Sequence, residues 1–68
     1  MNCGEIIKTL RKQNGYTQQK LGKIISVSQD TVSLWECEKS VPPTEYLPKL
    51  AKIFDVSIDY LLDYTDEL

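Results

Sequence analysis

Two apolar stripes at helical spacing, Leu21-Ile24-Ile25 and Val32-Trp35, are separated by almost no chain. Thr17 suits the N-cap of the first and Ser28 that of the second, because a hydroxyl there accepts from a backbone N–H that the helix leaves unpaired. With the first helix ending near Ser26, only Ser26 and Val27 remain before the next cap. A connection that short is a tight turn. It commits residues 17–37 to two helices packed side by side.

The remaining chain supplies more helices of the same kind. Ile6, Ile7 and Leu10, with Cys3 one turn earlier, predict a helix over 3–14, and Gly15 stands where a helix commonly ends in the left-handed conformation. Residues 38–43 read as a loop, because Pro42-Pro43 cannot continue a helix and proline pushes its predecessor out of helical geometry. Leu47, Leu50, Ala51 and Phe54 then fall in phase, with Pro48 in the first turn of a helix starting near Thr44 or Glu45. Ser57 caps a short last helix whose apolar contacts are Ile58, Leu61 and Leu62. No segment alternates with period two long enough to make a strand. The expectation is an all-α bundle of five short helices, the second and third forming a helix-turn-helix.

Length and charge bound what such a bundle can do. Sixty-eight residues make a single domain, 1–68, with an acidic C-terminal helix and tail over about 55–68. Hydrophobic residues are 41% of the chain and charged ones 26%, which places it outside the disordered class. No unbroken aliphatic run exceeds two residues, so neither a membrane span nor a signal-peptide core is expected, and a cytoplasmic location follows. With no histidine and only Cys3 and Cys37, no zinc site or other cofactor is implied, and the thiols are expected to be reduced. No nucleophile–base pair can be assembled, so an enzyme is not expected. Net charge is −2, but residues 1–52 carry eight bases against five acids, and residues 53–68 carry five acids and no base. A body of +3 thus precedes a tail of −5, and that distribution says more about partners than the sum does.

The run T-Q-Q-K-L-G-K-I-I-S-V-S-Q-D-T-V-S-L-W-E, continued by P-P-T-E-Y-L-P-K-L-A-K-I-F-D-V-S-I-D-Y-L-L, resembles the helix-turn-helix of the phage repressor and Cro family, the Xre-like regulators. The resemblance covers nearly the whole chain. It implies the lambda-repressor-like fold and a sequence-specific, double-stranded DNA-binding transcriptional regulator, a repressor of bacterial or phage type. Such a protein binds a palindromic operator as a homodimer, here with contacts around Tyr60, Leu62 and Tyr64.

Helical spacing divides residues 29–37 into two faces. Val32 and Trp35 mark the buried side; Asp30, Ser33, Leu34 and Cys37 lie opposite, with Gln29 at the edge. Each outward type has a base-edge chemistry: Gln29 can bond adenine bidentately, Asp30 can accept from a cytosine amino group, Ser33 and Thr31 serve several edges, and Leu34 packs on a thymine methyl. Asp30 has an equally weighted second reading, as an acid stabilising the positive end of the helix. From the resemblance, Thr17 and Gln18 at the start of the second helix become phosphate contacts, Gln18 also supporting Gln29. Lys39 and Ser40 are the contacts on the far side.

Glu36 turns toward the core and Arg11 borders the first apolar stripe, so a structural Arg11–Glu36 ion pair is expected, as the family also implies. Trp35, Phe54, Tyr16 and Tyr60 read as core or core-rim aromatics. Glu38 departs from the family pattern, since glycine is common at that left-handed position. The rival reading is a protein-interaction or antitoxin-like module on the same fold, its acidic C-terminal region engaging a protein partner. Weak basicity and Glu38 favour it; the bondable face from Gln29 to Leu34 opposes it.

Overall fold

The computed structural model describes residues 3–62. Five α-helices follow one another: α1 (Cys3–Gln13), α2 (Gln18–Ile25), α3 (Gln29–Glu36), α4 (Leu47–Phe54) and α5 (Ile58–Leu62). A 3-10 turn over Thr44–Tyr46 leads into α4, so the α-helix begins at Leu47, after the expected start near residue 44. Pro48 lies in the first turn, where its missing N–H has no intrahelical partner to lose. The expected ends of α1 at residue 14 and of α3 at residue 37 are each one residue too long, because Asn14 and Cys37 belong to the closing turns.

The starts of α2, α3 and α5 are fixed by their caps. Thr17 Oγ accepts from Lys20 N at 3.0 Å, Ser28 Oγ from Thr31 N at 3.1 Å and Ser57 Oγ from Tyr60 N at 3.0 Å. The ends of α1 to α4 share one arrangement in which two N–H groups beyond the helix return to carbonyls of its last turn. Tyr16 N reaches Arg11 O (3.0 Å), Val27 N reaches Gly22 O (2.8 Å), Lys39 N reaches Leu34 O (3.0 Å) and Val56 N reaches Ala51 O (3.0 Å). Each is preceded by a residue in the left-handed conformation: Gly15 (φ 75°), Ser26 (67°), Glu38 (64°) and Asp55 (57°). This is the Schellman closure, and only α1 uses glycine for it. Tyr16, Val27 and Val56 follow the left-handed residue and pack on the core. At Ser26 and Asp55 that apolar contact offsets a conformational cost of about 1–2 kcal/mol per residue.

The core draws on every helix: Ile6, Ile7 and Leu10 from α1, Leu21 and Ile25 from α2, Val32 and Trp35 from α3, Leu50 and Phe54 from α4, and Leu61 from α5. Trp35 is its largest side chain, 1% exposed, with the Tyr46 ring 5.6 Å away. Burying an aliphatic or aromatic side chain of this size contributes about 1.5–3 kcal/mol, so the tryptophan and the valine one turn before it set which way α3 faces. Two expectations for α5 are corrected. Ile58 is 38% and Tyr60 53% exposed, so neither is core or core rim; only Leu61 of that helix is fully buried. Leu61 takes the inward place of this helix, and Leu62 is partly buried beside it. Tyr64 and the rest of residues 63–68 lie outside the described residues. Among the described residues no helix is long and apolar enough to cross a membrane.

Candidate nucleic-acid interface

The outward face of α3 follows from how its other face is held. Val32, Trp35 and Glu36 are buried, and the helix is pinned at its start by Ser28 and at its end by the turn through Glu38. Gln29, Asp30 and Leu34 are therefore exposed, Leu34 at 44%. Ser33 is half-buried. Thr31 is also half-buried, and its hydroxyl lies 2.9 Å from that of Ser28, so part of its hydrogen-bonding capacity already serves the cap. Asp30 sits in the first turn, where a carboxylate also interacts favourably with unpaired backbone N–H groups. Cys37 is exposed at the far end of this face.

Two further sets of groups flank α3. Lys39 and Ser40 are exposed directly after the left-handed Glu38. At the start of α2, Thr17 is exposed, but its oxygen is occupied by Lys20 N. The N–H groups of Gln18 and Gln19, first in α2, have no acceptor within the helix and suit an anion. Lys20 and Lys23 of α2 and Lys8 and Lys12 of α1 are exposed as well.

Gln18 has a partner that the sequence did not indicate. Its amide Nε2 donates to Glu36 Oε1 at 3.0 Å, and a carboxylate is a strong acceptor for such a donor. Arg11 closes the same group: Nε donates to Glu36 Oε2 at 2.6 Å, Nη2 to Oε1 at 3.1 Å and Nη1 to the carbonyl of Tyr16 at 2.8 Å. Three donors thus converge on Glu36, and Arg11 bridges α1, the α1–α2 connection and α3. Arg11 and Glu36 are each 8% exposed, so the pair is nearly dry. The Tyr16 carbonyl and the Gln18 amide carried no sequence signal, since neither lies at a helical spacing from Arg11 or Glu36.

Cys3, at the start of α1, is half-buried near Glu38. Burial first, and the Glu38 charge second, push its thiol above the ordinary value of 9.0. Among the described residues no group of three or more potential ligands could hold a metal ion.

A family described as Helix-turn-helix matches residues 7–61. An uncharacterized HTH-type transcriptional regulator of Bacillus subtilis, YobD, is 34% identical over 61 residues, covering 90% of this chain and 54% of that protein. The chain spans about half the length of the curated relatives it matches. The crystal structure of the P22 c2 repressor in complex with a synthetic operator is similar, with a TM-score of 0.86 and 39% identity over 91% of this chain and 94% of that one. SinR, a master regulator for biofilm formation, in complex with DNA, gives a TM-score of 0.78 and 30% identity over 87% of this chain and 95% of that one.

Proposed function

The chain belongs to the helix-turn-helix family, and from that premise we propose that it is a sequence-specific, double-stranded DNA-binding transcriptional repressor that lays α3 in the major groove. The observation that carries this reading is the division of α3: one face fixed by Val32, Trp35 and Glu36, the other exposing Gln29, Asp30 and Leu34, with Ser33 half-buried beside them. These four can bond or pack on base edges, and α3 itself carries no basic side chain. Its purpose on DNA is then readout, while affinity comes from the first N–H groups of α2 and from Lys39 and Ser40 against phosphates. The complexes of the P22 c2 repressor with a synthetic operator and of SinR with DNA support the same class of partner for this chain. A homodimer on a palindrome, its two reading helices about 34 Å apart, completes the reading. Tyr60, exposed on α5, belongs to the contact between subunits.

Selection from a pool of random duplexes at low and at moderate salt tests it. The expected result is an enriched palindrome bound at least about 10³ times more tightly than unrelated sequence. Enrichment of no sequence at either salt would leave the protein-interaction module as the better account.

A further inference from the structure

On the reading just proposed, we infer that Gln18 is a positioning residue: its bond to Glu36 latches the phosphate-facing first turn of α2 to the last turn of α3. The case begins with where the bond lies. Gln18 is the first residue of α2, and Glu36 is the last of α3. The tight turn at Ser26-Val27 joins the opposite ends of these helices, so nothing covalent fixes the spacing between α2's start and α3's end. The side chains of Gln18 and Glu36 span that open side at 3.0 Å.

The chemistry gives the latch a direction. A carboxylate only accepts, so the amide must turn its nitrogen to Glu36, and that nitrogen keeps a second N–H free of this bond. Glu36 is itself immobilised by two bonds from Arg11, whose remaining nitrogen holds the carbonyl just before the Thr17 cap. The start of α2 is therefore tied twice to one buried carboxylate, through Gln18 directly and through Arg11 and Tyr16. Two helices that must meet one duplex, α2 at the phosphates and α3 at the bases, need their relative placement fixed to within a fraction of an ångström. Releasing the latch leaves every DNA-facing group in place on its own helix but lets the two helices tilt.

Gln18→Met, which keeps length and loses the donor, is compared with wild type on the enriched duplex, below the melting temperature of both. The same substitution is then made in an Arg11→Met/Glu36→Leu chain, where the pair is replaced by apolar groups. We expect about a tenfold loss of affinity in the first background and none in the second, a non-additivity that marks action through Glu36. An equal loss in both backgrounds would mean that Gln18 acts on DNA alone, and no loss in either would mean that it does nothing there; each overturns the inference. The latch is also read without DNA, from amide hydrogen exchange at Lys20 and Leu21, whose N–H groups report the first turn of α2. Exchange at least tenfold faster in Gln18→Met supports the latch, and unchanged exchange overturns it. If wild type enriches no duplex, the proposed function fails while this measurement still decides the latch.

Discussion

Replacing Glu36 by Gln tests how much of the fold rests on one carboxylate. The carboxylate accepts three bonds on two oxygens, and both it and Arg11 are 8% exposed. The amide that Glu36→Gln introduces would keep the shape but offer one accepting oxygen, so at least one of the three donors would face another donor. Arg11 would also be left charged without a counter-charge. Breaking a buried pair from one side costs about 3–5 kcal/mol, and the bond from Arg11 to the Tyr16 carbonyl, which survives, places this case near the lower end. Against a total stability of about 3–10 kcal/mol for a chain this long, that is a large fraction. At about 4–8 °C per kcal/mol, the melting temperature should fall by about 12–24 °C, measured by thermal loss of helical circular dichroism. Arg11→Met together with Glu36→Leu should recover most of the loss, since no uncompensated charge then remains. A Glu36→Gln chain that melts within about 3 °C of wild type would refute the reasoning, because it would show that the charge contributes no net stability.

Four other outcomes are expected. Gly4→Ala should destabilise by about 1–3 kcal/mol in urea denaturation, because a Cβ there would run into the Trp35 carbonyl oxygen and the side chain of Glu38. Glu38→Gly should raise the melting temperature by a few degrees, a net gain of about 0.5–1 kcal/mol, the left-handed strain relieved at φ 64° less the greater backbone entropy that glycine loses on folding; a lower value would mean that its side chain packs more favourably than its backbone is strained. Asp30→Ala should relax preference at one base position in a duplex selection if Asp30 reads a cytosine, whereas a dipole role alone predicts unchanged preference and a stability loss of a few tenths of a kcal/mol. The raised Cys3 thiol makes the folded state hold its proton more tightly than the unfolded one. That stability is present in full below pH 9.0 and lost as pH rises through the raised value, so wild type should lose more stability between about pH 8 and pH 10 than Cys3→Ala does.

The features legible in the sequence are those that local spacing determines. Thr17, Ser28 and Ser57 were readable because a cap bond closes within three residues, and the buried face of α3 was readable because Val32 and Trp35 are one turn apart. Ser26 and Asp55 were not readable as left-handed residues, since serine and aspartate have no intrinsic preference strong enough to announce it. The signal lay one residue further on, where Val27 and Val56 supply the apolar contact that a Schellman closure needs. Ile58 and Tyr60 misled because helical phase says which residues share a face, not how many of them a five-residue helix can bury. The bond from Gln18 was not legible, for a different reason. Its partner Glu36 lies 18 residues further along the chain, and nothing in the local run encodes that this carboxylate comes within reach.

The pairing of Glu36 also bears on why α3, on the proposed function, carries so little positive charge. Arg11 and Glu36, the charged residues buried in the described part of the chain, neutralise each other inside the bundle, and Asp30 is left as the one charge on the outward face of α3. An exposed carboxylate among phosphates repels every duplex alike, whatever its sequence. It regains that loss only where a base amino group, on cytosine or adenine, stands opposite, because only such a group donates a hydrogen bond to it. The bases at the margin, Lys20, Lys23 and Lys39, attract all sequences equally. An acid on the reading helix therefore lowers both the specific and the non-specific affinity, but the non-specific one by more, and the ratio between them rises. On the proposed function, a reading helix of this kind binds DNA weakly in general and discriminates among sites by bonds that only the correct bases return.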